Sequence, residues 1–111
     1  MGSFMKGDVV IIPFPNSDLS MSKRRPALVV ADLKGNDVIL TQITTNYHVD
    51  GYSISLRQSD FHSGGIDHDS NIRPNRLFTA DSRRIFKTAG KISKRKTDEV
   101  INRIVQIIRS S

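Results

Sequence analysis

The chain contains no cysteine. No disulfide can form, no thiolate is available as a nucleophile, and no cysteine-based zinc site can be built. Long hydrophobic runs are missing as well. Nothing approaches the roughly 20 apolar residues that cross a bilayer as a helix, so no membrane partner is expected. The opening MGSFMKGD lacks the basic flank and apolar stretch of a signal peptide, which predicts a cytoplasmic protein. Met1–Phe4 reads as a cloning remnant ahead of a natural start at Met5. Acidic residues are in deficit, with 11 Asp plus Glu against 17 Lys plus Arg. The resulting charge of +6 favours polyanionic partners through long-range steering, nucleic acid first among them. Charge alone also describes a merely soluble basic protein, so the motifs must decide.

With 111 residues, 37% of them hydrophobic and 25% charged, the chain fits one globular domain, residues 5–111. From Asp8 to Phe14 the run Val9-Val10-Ile11-Ile12 is β-branched and closed by Pro13, which predicts a strand. A polar loop, Asn16 to Arg25, follows and ends in Lys23-Arg24-Arg25 before Pro26. Ala27–Ala31 then reads as a second strand, Gly35-Asn36-Asp37 as a turn, and Val38–Ile43 as a third strand. Thr44 to Gly51 is a second loop. In Tyr52–Leu56, apolar and polar residues alternate as in a half-buried strand. Asp60 to Asn71, with Gly64-Gly65 and three aspartates, is expected to be a third loop. Ile72-Arg73 and Leu77–Ala80 read as short strands around Pro74, which marks an edge or a bulge.

Helical periodicity is confined to the C-terminus. Val100, Ile101, Ile104, Val105 and Ile108 recur on one face, with Ser93 as N-cap and Arg109 in the last turn. Short strands followed by one helix predict a mainly β fold, a small and strongly bent sheet or barrel closed by a C-terminal α-helix.

Four segments in order resemble the MazF/PemK toxin family, and its PemK-like branch in particular. They are Met5-Lys6-Gly7-Asp8-Val9, then Lys23-Arg24-Arg25-Pro26-Ala27-Leu28-Val29-Val30, then Ile43-Thr44-Thr45-Asn46, and finally Ile72-Arg73-Pro74-Asn75-Arg76-Leu77-Phe78-Thr79-Ala80-Asp81. Each is common alone; their order and spacing from Met5 onward make the match specific. The resemblance implies an SH3-like barrel of the MazF/PemK/CcdB type with a C-terminal helix, and a homodimer. It implies the toxin of a type II toxin-antitoxin system, a sequence-specific endoribonuclease acting on single-stranded RNA or mRNA without metal or other cofactor. The cognate antitoxin would present an acidic, initially disordered segment, a partner suited to a basic chain.

In metal-free cleavage the substrate's own 2′-hydroxyl attacks the phosphorus, leaving a 2′,3′-cyclic phosphate and a 5′-OH. The protein must align the groups, move two protons and stabilise a phosphorane. The family pattern puts Arg25, Thr44 and Arg73 at the catalytic site. A guanidinium grips phosphate oxygens in a fork and a hydroxyl donates to a further one. In the PemK-like branch the second arginine works beside an acidic residue two positions on. Here that position holds Asn75, whose amide accepts no proton near neutral pH, so Asn75 is left a hydrogen-bonding role. His48, in the loop after Thr44, is a candidate for the missing proton transfer or a substrate contact. Lys23, Arg24, Thr45, Asn46, His48, Asn75 and Arg76 form the expected RNA-binding set.

Plainer readings stand beside these. Lys23 and Arg24 can serve as gatekeeping charge beside an apolar strand, Arg25 can pair with Asp18 or Asp81, and Thr44 and Thr45 are good strand formers. Asp67, Asp69 and Asn71 start a calcium-loop spacing, but Ile72 and Phe78 stand where Gly and Glu are needed, so no metal is expected. Arg83-Arg84 and Lys94-Arg95-Lys96 read as exposed charge, the latter at a helix start that disfavours cations. Phe14, Tyr47 and Phe61 lie near loops and could stack on bases, at least one of them being core. Two other functions remain open: an inactive or protein-targeting module of the same fold, as in CcdB-like toxins, and a nucleic-acid-binding domain without cleavage.

Overall fold

A computed structural model describes residues 4–15, 22–47 and 49–110. Among these, seven strands precede one helix: β1 (Asp8–Pro15), β2 (Ser22–Asp32), β3 (Asp37–Thr44), β4 (Ile54–Leu56), β5 (Phe61–Gly64), β6 (Ser70–Asp81), β7 (Lys87–Ile92) and α1 (Lys94–Ser110). They form one antiparallel sheet in the order β4-β6-β3-β2-β1-β7-β5. Register shifts interrupt the ladders at Val9/Val10, Val29/Ala31, Thr41/Gln42 and Phe61/Ser63. Each such bulge adds bend and twist, so the sheet curls into an open barrel, as the mainly β expectation required.

The curl gives the sheet two covered faces. On one, Val9, Leu28, Val30, Ile43, Ile54, Leu56, Ile72 and Ile92 pack with Val100 and Ile104 of α1. On the other, Val10, Ile12, Ala27, Val29, Val38 and Leu40 are covered by Phe4, Phe14, Phe78 and Ile85. The runs Val9-Val10-Ile11-Ile12 and Ala27 to Val30 supply both faces at once, which is why they are apolar without alternation.

Ser93 caps α1: its Oγ accepts from Lys96 N–H at 3.1 Å, and its carbonyl accepts from the Thr97 hydroxyl at 2.9 Å. The expected apolar stripe is narrower than its periodicity suggested. Thr97, Val100 and Ile104 are buried, whereas Val105 and Ile108 are 41% and 65% exposed, on the flank of the face that meets the sheet.

Several local expectations are corrected. The loop before Pro26 ends earlier, because Lys23, Arg24 and Arg25 are strand residues opposite Phe14, Pro13 and Ile12. Pro26 is tolerated inside β2 because pairing with β3 starts only at Ala27, leaving no ladder there for its missing N–H to interrupt. Asn16 to Met21 lie outside the described residues. The segment Asp60 to Asn71 contains β5 and the first residues of β6. Gly64 and Gly90 are there for close backbone approach, since a Cβ on Gly64 would stand 2.2 Å from the Ala89 carbonyl oxygen. β4 begins only at Ile54 because the Asp50 carboxylate binds the N–H groups of Tyr52 and Ser53, at 2.9 and 3.3 Å. The two strands around Pro74 are one strand with the anticipated bulge: the register passes from Thr41 opposite Leu77 to Gln42 opposite Arg73, so Pro74, Asn75 and Arg76 loop out between them.

Candidate active site

Strand alternation builds the site. Ile43 and Ile72 pair and point into the helix-side core, so their neighbours Gln42, Thr44, Asn71 and Arg73 take the opposite face. Ala27 of β2 pairs with Gln42, and Arg25, two residues along β2, shares the face of Ala27 and of its own partner Ile12. Thr44 is likewise two residues beyond Gln42. Arg25, Thr44 and Arg73 thus occupy one face at the same end of three adjacent strands, although far apart in sequence.

The Thr44 hydroxyl accepts from Asn46 N–H at 3.1 Å. A hydroxyl carries one donor besides its acceptor lone pairs, and among the described residues the Thr44 proton meets no acceptor. Asn46 also accepts, through its carbonyl, from the Asn71 side chain at 3.4 Å, which ties the loop after β3 to β6. Arg25 is half-buried and makes no ion pair among the described residues. Of its two expected partners, Asp81 binds Arg83 at 2.6 Å, and Asp18 lies outside the described residues.

Arg73 is largely enclosed, and its Nη2 donates to Asp50 Oδ2 at 3.2 Å. Among the described residues its Nε is buried without a partner, as is Oε1 of Gln42, the residue opposite it in β3. Two orphaned polar atoms on facing residues are unusual in a packed interior. The Tyr52 amide first, then the Arg73 guanidinium and the Ser53 amide, hold the Asp50 carboxyl below its ordinary value of 3.8 against the opposing effect of partial burial.

Beside Gln42 opens a groove of about 510 Å³ whose lining includes Ile12, Phe14, Asn75, Arg76, Phe78 and Arg84. Asn75 and Arg76 reach it because the bulge carries them outward. Phe14 and Phe78 form an edge-to-face pair at 5.0 Å. A second groove, about 400 Å³, is lined by Pro26, Thr45, His68 and Lys87 among others. The expected RNA-binding residues are therefore divided: Asn75 and Arg76 line one groove, Thr45 the other, and Asn46 supports Thr44. Lys23 is exposed, and Arg24 stacks 3.7 Å over the Phe86 ring. His48 lies outside the described residues. Of the aromatic candidates, Phe14 and Phe61 pack on the two cores while Tyr47 is exposed.

The basic cluster at the helix start is more engaged than expected. Lys94 pairs with Asp98 at 2.9 Å, and Lys96, only 12% exposed, reaches Glu99 at 3.2 Å and Asp60 at 3.7 Å. Among the described residues no three His, Asp or Glu side chains gather as a metal site would require. No described helix is long and apolar enough to cross a membrane. Sequence reasoning missed Asp50 and Gln42. The carboxylate deficit at Asn75 was the signal for Asp50, but the strand pairing that brings it to Arg73 is not local.

A curled antiparallel sheet closed by a C-terminal helix defines the class, and solved structures share this architecture. An endoribonuclease from Mycobacterial species superposes with a TM-score of 0.74 at 14% identity, covering 98% of this chain and 94% of that one. MazE-MazF (Form-II) from Deinococcus radiodurans gives 0.76 at 17% identity over 96% of both chains. An endoribonuclease in complex with its cognate antitoxin, also from Mycobacterial species, gives 0.71 at 12% identity over 98% of both. At such identities the likeness establishes the fold. No curated protein sequence matches. Residues 5–108 match the sequence model of the PemK-like, MazF-like toxins of type II toxin-antitoxin systems, and the chain belongs to that family.

Proposed function

We propose that this toxin is an endoribonuclease that cleaves single-stranded RNA, mRNA included, at short sequences without a metal ion. The carrying observation is the convergence of Arg25, Thr44 and Arg73 on one face at one end of β2, β3 and β6. Two guanidiniums and a hydroxyl with its proton to spare match the needs of a phosphorane, whose equatorial oxygens gain charge as the 2′-oxygen bonds to phosphorus and the bond to the 5′-oxygen breaks. Arg25 and Arg73 stabilise that charge, Thr44 donates to a non-bridging oxygen, and the products carry a 2′,3′-cyclic phosphate and a 5′-OH. DNA, lacking the 2′-hydroxyl, is spared.

Asn75 and Arg76 in the groove beside Gln42, with Lys23, Arg24, Thr45 and Asn46 around the strand ends, bind the flanking nucleotides, as does His48, which follows Thr44 in the sequence. Solved relatives of the same fold include an endoribonuclease with its cognate antitoxin. By analogy this toxin works in the cytoplasm as a homodimer, silenced by an antitoxin whose acidic segment covers the cationic face.

The test incubates the purified chain with a long single-stranded RNA and with DNA of the same sequence in excess EDTA, beside Arg25→Ala and Arg73→Ala variants. Fragments from RNA alone, ending in a cyclic phosphate and formed far more slowly by either variant, are expected. Intact RNA under all conditions overturns the reading in favour of a protein-targeting module of the same fold.

A further inference from the structure

We infer that Asp50 is the positioning residue that fixes the Arg73 guanidinium for the scissile phosphate, supplying through space the carboxylate that Asn75 does not supply along the strand. The inference rests on the nuclease reading above and adds to it a residue outside the matched motifs.

Asp50 is built to hold one orientation. Its Oδ1 accepts from Tyr52 N–H at 2.9 Å and from Ser53 N–H at 3.3 Å, closing a turn at the end of the loop after β3, while Oδ2 faces Arg73 at 3.2 Å. The loop is pinned from below as well. Arg103 of α1 donates to the carbonyls of Gly51 and Tyr52, at 3.1 and 3.3 Å. The carboxylate is thus referenced to the helix on one side and grips β6 on the other, so Arg73 does not wander as a long side chain on an open face would.

Asp50 engages Arg73 through Nη2, one corner of a guanidinium that carries five N–H donors. Asp50 therefore leaves other N–H donors of the guanidinium for a phosphate oxygen. A carboxylate engaged in this way is a poor proton acceptor near neutral pH. The base for the 2′-hydroxyl is another group, and Asp50 acts through Arg73.

The experiment is a double-mutant cycle on the full chain, using Asp50→Asn, Arg73→Ala and the pair, with single-turnover cleavage of an RNA oligonucleotide. Affinity for the same oligonucleotide carrying a 2′-deoxy scissile nucleotide is measured in parallel. Asn keeps an acceptor for the Tyr52 and Ser53 amides; should it fail to fold, Asp50→Ser, which closes the turn but cannot reach Arg73, takes its place. The expected result is a fall in cleavage rate of roughly tenfold or more with affinity nearly unchanged. Asp50→Glu should recover part of the rate, and the pair should be no slower than Arg73→Ala alone. An undiminished rate in Asp50→Asn, or effects that multiply in the pair, overturns the inference. A wild-type chain that leaves RNA intact overturns the nuclease reading itself, and the two failures are told apart by that arm.

Discussion

The buried hydroxyl of Thr41 donates to the backbone carbonyl of Arg73, across the point where β3 and β6 change register. The same oxygen lies 3.4 Å from the Arg76 carbonyl, so one side chain fastens both ends of the bulge that lifts Asn75 and Arg76 into the groove. Thr41→Val keeps the shape and removes the donor. It should cost about 1–3 kcal/mol, the penalty for a buried acceptor left unpaired, and should slow RNA cleavage because Arg73 loses its backbone anchor. Urea denaturation beside single-turnover cleavage checks both.

Arg73→Lys retains a positive charge but loses the planar fork. With Asp50 occupying one corner, a lysine offers a single ammonium for two partners. Cleavage should fall by about 10²–10³, the range for removing a stabiliser of transition-state charge, and measured rates within a fewfold of wild type would show that charge alone suffices.

Two glycines with positive φ should respond differently to alanine. At Gly35, φ is +74° with open space around the missing Cβ, so Gly35→Ala should cost only about 1–2 kcal/mol of backbone strain. At Gly64, φ is +66° and the new methyl would stand 2.2 Å from the Ala89 carbonyl oxygen and 2.5 Å from the Gly90 Cα. Gly64→Ala must push β5 off β7 and should cost about 3 kcal/mol or more. Equal denaturation midpoints for the two variants would refute this contrast.

Acid should loosen two carboxylate contacts. Hydrogen bonds from the Arg83 side chain and backbone lower Asp81 from 3.8 to about 2, and Asp50 is held below 3.8 by the Tyr52 amide, Arg73 and Ser53. A carboxyl whose folded value is depressed stabilises fully above its unfolded value and loses that contribution as pH falls through the folded one. The loss for Asp81 should run from near 3.8 down to about 2. Because the Arg83 side chain is 74% exposed, the effect should be small and weakened by salt. Denaturation midpoints of wild type and Asp81→Asn should therefore converge as the pH falls toward 2, and a gap that widens instead would contradict this linkage.

Much of the fold was legible because its signals are local. β-branched runs marked β1, β2 and β3, Ser93 marked the start of α1, and Pro74 marked the bulge. β7 was not foreseen because Lys87 to Ile92 shows no clear apolar alternation; it is a strand through pairing with β1 and β5. β5 reads as loop in the sequence because Gly64-Gly65 signals a turn, whereas the glycines serve backbone contact with β7. At the candidate site, Arg25, Thr44 and Arg73 were named through the family resemblance, and nothing in their spacing alone brings them together. Asp50 escaped because its meaning depends on a partner in β6, and a lone aspartate before a glycine reads as turn chemistry.

The pairing of Asp8–Ile11 with Lys87–Lys91 joins the beginning of the described chain to a strand just ahead of its last helix. Contacts of such long sequence separation form slowly, after the intervening loop entropy has been overcome. During synthesis β1 can pair with β2 early, but its other edge must wait for β7, and the core shared by Val9, Ile92 and Val100 cannot assemble earlier. A ribosome that has not yet released β7 and α1 therefore carries an unfinished sheet, open along the outer edge of β1.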